Sequence, residues 1–215
     1  MDVSIQCPKG KLPFITHAGE KVADSTFIIR YLVDAGLSRD LDAELTAVQR
    51  AESRAWQVYM EEMVYPCVVY ERWMIKENYD TISQTAFAAI PWLLIPLVAA
   101  YFHRRISQGL NGKGVGQHSV EEVRSILRGA VDDFAARLEG HTFFHDTAKA
   151  TGIDVIIYAF LSNSLDCPAN PFFSQLVLSK TSLVRFVRLM TETLFPEYER
   201  LLALVSKNVS GDAIP

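Results

Sequence analysis

The chain is short of cysteine, of positive charge and of any long stretch that is apolar throughout, and each shortage narrows what it can be. Three cysteines, Cys7, Cys67 and Cys167, stand in 215 residues. They are odd in number, far apart and without a CxxC pair, which argues against a disulfide framework or a cysteine-based zinc site and fits reduced thiols in the cytosol. Lys and Arg number 21 against 25 Asp and Glu, for a net charge of −4. Nucleic acid is not an expected partner, because its phosphates call for clustered cations. The start, Met1-Asp2-Val3-Ser4, has no basic segment leading into an apolar one, so no secretory leader is read and a cytoplasmic location is expected. From Thr81 to Phe102 there is no charge, and His103-Arg104-Arg105 follows. That length suffices for a bilayer. However, Thr81, Ser83, Gln84 and Thr85 occupy one end, and Pro91 and Pro96 would free carbonyls that lipid cannot satisfy. A buried or partner-facing helical segment is expected there.

What is present is a large apolar inventory, 49% of residues, enough for a sizeable core. Lys11 to Thr16 reads as a short strand, His17-Ala18-Gly19-Glu20 as a turn, and Lys21-Val22-Ala23 as a second strand, together a hairpin. Asp24-Ser25 carries helix-start chemistry. Phe27, Ile28, Tyr31 and Leu32 follow at helical spacing, with Gly36 as the stop. Everything after Arg39 reads as helix: one long or broken helix from Asp42 to about Asn78, kinked at Pro66, then the apolar stretch and a Gly109–Gly116 loop. Ser119 and Glu122 form a capping box. Behind it Val123, Ile126, Leu127, Ala130, Val131, Phe134 and Leu138 make a continuous apolar stripe. Thr151-Gly-Ile-Asp154 opens a segment apolar on every side, the mark of a central core helix. Leu183, Phe186, Val187, Met190 and Leu194 give another stripe. Phe195-Pro196 starts the last helix, and the tail from Ser206 is expected to fray.

Gly10-Lys-Leu-Pro-Phe-Ile15, followed by Gly19-Glu-Lys-Val-Ala-Asp-Ser-Thr-Phe-Ile-Ile-Arg-Tyr-Leu32, resembles the second half of the thioredoxin-like domain of glutathione transferases. More narrowly it is similar to the failed-axon-connections branch, related to the metaxins. Tyr70-Glu-Arg-Trp73, Gly114 to Glu122, Leu183 to Met190 and Phe195-Pro-Glu197 agree with that branch. The implied fold is mainly α: a truncated thioredoxin-like β-hairpin plus helix over 1–38, an all-α glutathione-transferase C-terminal domain over 39–206, and a tail over 207–215. Family members carry a strand–helix–strand unit ahead of the Leu-Pro strand. Its first turn supplies the Tyr, Ser or Cys that activates the glutathione thiol. No residue here matches that position, so the resemblance implies a glutathione-transferase-like protein without catalysis in this form. The alternatives are a fragment of an active glutathione-dependent transferase, a shortened gene model, and a non-catalytic adaptor docking through 86–102, at a membrane surface.

The resemblance also implies site residues. Leu12-Pro13 matches the family's cis-proline, whose bend offers the Leu12 backbone to an extended cysteinyl ligand. Taken alone, the dipeptide reads as a trans proline at the start of an edge strand. Asp24-Ser25 matches the acid–Ser pair that holds the γ-glutamyl end of glutathione, where helix N–H groups and a hydroxyl suit a carboxylate; taken alone it is an N-cap pair. Thr151 and Asp154 match a capping motif with a structural role. Trp56, Tyr59, Met63, Tyr70 and Trp73 line the long helix, with Tyr59, Glu62 and Arg72 as candidate cleft-facing polar groups. His141 and His145 have metal-ligand spacing only if helical, and their surroundings, Gly140, Thr142, Phe143 and Phe144, read as loop, so no metal is expected. The Gly109–Gly116 stretch lacks the GK[ST] ending of a phosphate loop. Glutathione is the one cofactor implied, a small-molecule thiol the one ligand, and a homodimer is compatible.

Overall fold

A computed structural model describes residues 8–10, 12–88 and 90–209; Cys7, Lys11 and the tail beyond Val209 lie outside the described residues. The chain divides into two compact units, Met1–Glu44 and Leu45–Pro215, where the sequence placed the division at 38 and 39.

In the first unit, β1 (Phe14–His17) pairs antiparallel with β2 (Glu20–Ala23), Phe14 opposite Ala23 and His17 opposite Glu20. The two-residue turn is Ala18-Gly19, with φ of 48° and 82°. Positive φ at both positions matches the right-handed strand twist, which is why Gly belongs there. α1 (Ser25–Asp34) follows, capped by Asp24, whose side chain accepts from the Thr26 N–H at 3.1 Å. Of the four apolar residues spaced along it, only Ile28 is buried; Phe27 is 49% exposed. Gly36 turns the chain at φ 68°.

The second unit is all helix. α2 (Ala47–Tyr59) begins five residues later than the sequence suggested. Its start is set by a capping box in which the Thr46 Oγ1 accepts from the Gln49 N–H at 3.2 Å and Gln49 Oε1 accepts from the Thr46 N–H at 2.9 Å. A π-helical turn over Met60–Val64 then leads into α3 (Tyr65–Met74). The Tyr65 N–H bonds to the Met60 carbonyl, five residues back. Widening the turn here relieves Pro66, which lacks an N–H and crowds the carbonyl four residues before it. The kink expected at Pro66 is therefore a π turn just ahead of it. A break at Ile75, in extended conformation, separates α3 from α4 (Lys76–Ala86). Asn78 Nδ2 donates to the Glu71 carbonyl at 2.9 Å and so satisfies one of the orphan carbonyls of α3.

α5 (Ile95–Gly112) reaches into the stretch expected to be loop. Its end is sealed by a short 3-10 turn, Val115–Gln117. A Cβ on Gly116 would lie 2.7 Å from the Asn111 backbone nitrogen, so only glycine fits. α6 (Val120–Leu138), α7 (Gly152–Asp166), α8 (Pro171–Leu178), α9 (Thr181–Leu194) and α10 (Glu199–Val209) complete the unit. α6 packs on α3, α8 and α9, while α7 packs on α2, α8, α9 and α10. Leu127, Phe134, Ile157, Leu161, Phe173 and Leu183 sit in the shared core, each at most 1% exposed. Leu194, the last residue of the α9 stripe, is 42% exposed, because the core ends one turn earlier at Met190 and Thr191. The uncharged stretch is split between α4, an irregular turn and α5, and no helix is long and apolar enough to cross a membrane, among the described residues.

Candidate functional site

The sequence-derived residues of the first unit form one corner. The Leu12–Pro13 peptide bond is cis. The Pro13 carbonyl accepts from the Asp24 N–H at 3.1 Å, one step beyond the Phe14–Ala23 pair. That bond ties the entry of β1 to the start of α1. Leu12 is 76% exposed, and Asp24 and Ser25 are also exposed. Asp24 adopts φ 84°, ψ 129°, a conformation costly for a residue with a Cβ and tolerated best where a short polar side chain bonds locally. Here it does, to Thr26. One carboxylate oxygen is thereby used, and the second remains an acceptor. The corner presents a hydroxyl, a carboxylate and the N-terminal N–H groups of a helix within two residues. This combination suits a zwitterionic ligand end: the helix start and Ser25 for a carboxylate, Asp24 for an ammonium. Elsewhere in this unit, His17 Nδ1 lies 2.9 Å from the Tyr31 hydroxyl, a pair the sequence reading missed because it links residues 14 apart.

The three polar residues proposed on the long helix go to three places. Glu62 Oε2 pairs with Lys113 Nζ at 2.6 Å on the surface. Arg72 donates through Nε and Nη2 to Asn170 Oδ1 at 2.8 and 2.6 Å, and through Nη2 to Asn163 Oδ1 at 3.1 Å, joining α3 to the α7–α8 corner. Tyr59 lines an open groove of about 610 Å³ with Ala55, Trp56, Asp133, Ala136 and Arg137. Its hydroxyl donates to Asp133 Oδ2 at 3.1 Å. The Trp56 ring lies 5.6 Å from Phe134 and 5.1 Å from Phe144. Burial, then the bond to Asp133, push the Tyr59 phenol up to about 12, so it stays a protonated donor at neutral pH. Burial also pushes the Cys67 thiol up to about 11. Cys67 thus lacks the lowered pKa of a thiol nucleophile.

A buried polar cluster lies at the start of α8. Glu71, 2% exposed, accepts from the Phe172 N–H at 2.8 Å, the Phe173 N–H at 3.3 Å and Asn170 Nδ2 at 3.3 Å. It is a carboxylate cap supplied from another helix. Burial outweighs these bonds and the field of Arg124, and holds the Glu71 carboxyl above its ordinary range. The sequence offered no local signal for it, since the partners lie about a hundred residues apart.

The capping boxes are structural features. Ser119 Oγ accepts from the Glu122 N–H at 3.2 Å, and Glu122 Oε2 accepts from the Ser119 N–H at 2.7 Å. Asp154 Oδ2 accepts from the Thr151 N–H and hydroxyl at 2.8 and 2.7 Å, while its Oδ1 accepts from the Phe144 N–H at 2.7 Å. The last bond fastens the preceding loop to α7. His141 Nδ1 faces Asp146 Oδ1 at 3.3 Å, and His145 Nε2 faces Ser53 Oγ at 2.7 Å. The two rings thus have different partners, and no metal-holding group of three His, Cys, Asp or Glu side chains occurs among the described residues.

Comparison with known proteins gives a consistent family. Residues 2–79 match the glutathione S-transferase N-terminal domain. The isoprene-epoxide–glutathione S-transferase of Rhodococcus sp. (strain AD45) is 33% identical over 186 residues, 84% of this chain and 76% of that protein. A metaxin-1 homolog of Caenorhabditis briggsae is 27% identical, covering 88% of this chain and 60% of its own length. Failed axon connections of Drosophila melanogaster is 28% identical, covering 93% and 50%. The chain thus spans 60% and 50% of the length of the latter two relatives. No solved structure shows a significant match.

Proposed function

Since the chain belongs to the glutathione S-transferase superfamily and is metaxin-like within it, we propose that its hairpin–helix corner binds the γ-glutamyl end of a glutathione-type thiol and that this chain does not itself transfer the thiol. The carrying observation is the 3.1 Å bond from the Asp24 N–H to the Pro13 carbonyl. It brings an exposed strand entry, a carboxylate and the Ser25 hydroxyl to one point. The ligand's carboxylate takes the helix start and Ser25, its ammonium takes Asp24, and its cysteinyl backbone runs along Leu12 as an added strand. Against turnover stands Cys67, which is buried rather than activated. Burial shifts its thiol toward the protonated form, the opposite of an activated thiolate. The Rhodococcus relative is an isoprene-epoxide–glutathione S-transferase, which supports the ligand class.

The test is calorimetric titration of glutathione into the full chain and into Ser25→Ala, with conjugation to a general electrophile followed in parallel. Wild type is expected to bind, and the variant roughly tenfold or more weakly, as for loss of a hydrogen bond to a charged group. Conjugation is expected at the uncatalysed rate. Absence of binding by wild type, or equal affinity of the two proteins, would remove the ligand assignment. Turnover above background would remove the non-catalytic one.

A further inference from the structure

The irregular turn and the first half of α5 expose apolar side chains that a folded chain normally covers. Trp92 is 77% exposed, Leu93 68%, Leu97 72% and Tyr101 59%. On α5 the exposed series Leu97, Tyr101, Arg104, Arg105 and Gln108 recurs at intervals of three and four and so shares one face, and the exposed Trp92, Leu93 and Leu94 lie in the turn that leads directly into it. The opposite face is anchored. Ala99 and Leu110 are buried, Phe102 packs on Phe87 at 5.7 Å, and His103 packs on Tyr79 at 5.1 Å. The exposure therefore belongs to a seated helix. A contiguous apolar patch of this kind marks an interaction surface.

Charge identifies the occupant. The chain is net acidic, yet from Thr81 to Val120 it has no Asp or Glu, and the charged residues there are Arg104, Arg105 and Lys113. The two arginines continue the apolar face, and Arg105 Nη1 reaches the Tyr101 hydroxyl at 3.5 Å. We propose that this face docks on an anionic bilayer surface, with Trp92, Leu93, Leu94 and Leu97 sunk below the headgroups and Arg104 and Arg105 on lipid phosphates.

The geometry fits an inclined helix. At about 1.5 Å per residue, Arg104 lies roughly 15 Å along the axis from Leu94. Inclined by about a third of a right angle or somewhat more, the helix sinks its N-terminal tip by the roughly 5–10 Å typical of interfacial insertion. Tyr101 then falls at the interface, where amphipathic aromatics concentrate. Pro91 and Pro96 are tolerable in this position, because the headgroup zone retains water for unpaired carbonyls whereas the bilayer centre does not. A carboxylate among these residues would oppose the negative surface potential, and the segment from Thr81 to Val120 holds none.

The full chain would be floated with vesicles of phosphatidylcholine alone and of phosphatidylcholine with 30% phosphatidylserine, alongside Leu97→Glu and the double variant Arg104→Gln/Arg105→Gln. Helix content and melting temperature serve as controls, since all three positions are exposed. Wild type is expected to bind the anionic vesicles at least tenfold more tightly than the neutral ones. Leu97→Glu is expected to lose at least tenfold on the anionic vesicles. The double variant is expected to lose about 25-fold there, at about fivefold per arginine, and no more than a few-fold on neutral ones. Failure of wild type to float with anionic vesicles overturns the proposal. So does equal binding by folded Leu97→Glu. Sedimentation of wild type as a dimer that Leu97→Glu converts to monomer, without vesicle binding, would assign the face to a second copy of the chain instead.

Discussion

The two units differ in where their order comes from. Among the described hydrophobic residues of the first, only Ala23 and Ile28 are buried, and Phe27 and Ile29 on the same helix are 49% and 58% exposed. Its candidate site is drawn by backbone: a hairpin register, the Asp24 bond to Pro13 and a helix start. The second unit is organised by side chains, with Phe134, Phe144, Phe173 and Leu127 at 0–1% exposure and a buried carboxylate stitching α3 to α8. A corner made from backbone needs few buried atoms to keep its shape, so recognition can reside where there is little core. Stability, which scales with apolar area removed from water, belongs with the helices.

The contrast breaks first on Phe134→Ala. This change should cost about 3–5 kcal/mol through lost burial and a cavity, read by urea unfolding; a loss below about 1 kcal/mol would mean the α6 core is not what holds the unit. Next comes Glu71→Ala, which strands the Phe172 and Phe173 N–H groups and should cost about 1–3 kcal/mol. A pH series sharpens it. Because burial raises the Glu71 pKa in the fold, the native state holds this proton more tightly than the unfolded chain does. The group's contribution is complete below the unfolded carboxylate range and is lost as pH rises through the folded value. Wild type should therefore lose stability relative to Glu71→Gln between acid and neutral pH, and parallel curves would contradict the assignment. Thr151→Ala should cost about 1 kcal/mol, as for other lost caps, measured by thermal unfolding. Smallest of all, Ser25→Ala should change stability by no more than about 0.5 kcal/mol while weakening ligand binding, the signature of a residue that recognises without supporting.

Much of the architecture was readable along the chain. The hairpin, the Asp24 start of α1, the α6 stripe and the Ser119 and Thr151 caps all appear in residue order. The Thr46–Gln49 box carried the same kind of signal, and it marks the true start of α2, five residues beyond the expected start at Asp42. Other features had no such signal. Glycine-rich composition suggested loop through Gly109–Gly116, but α5 continues to Gly112 because it packs against α3. Tyr59 was named from the aromatic stripe, whereas its partner Asp133 is 74 residues away. Arg72 and Glu62, selected for the same cleft, have partners in different places.

The amino-acid sequence by itself determined the local turns of this protein: caps, the positive-φ hairpin turn and the polarity of each helix, since those interactions close over two to four residues and are encoded by their neighbours. Only the tertiary structure decided which apolar faces are covered and which polar groups meet. Glu71 finds Phe172, and α5 leaves Trp92 and Leu97 in water, because burial depends on the helices packed across a face, and no short stretch of chain specifies those.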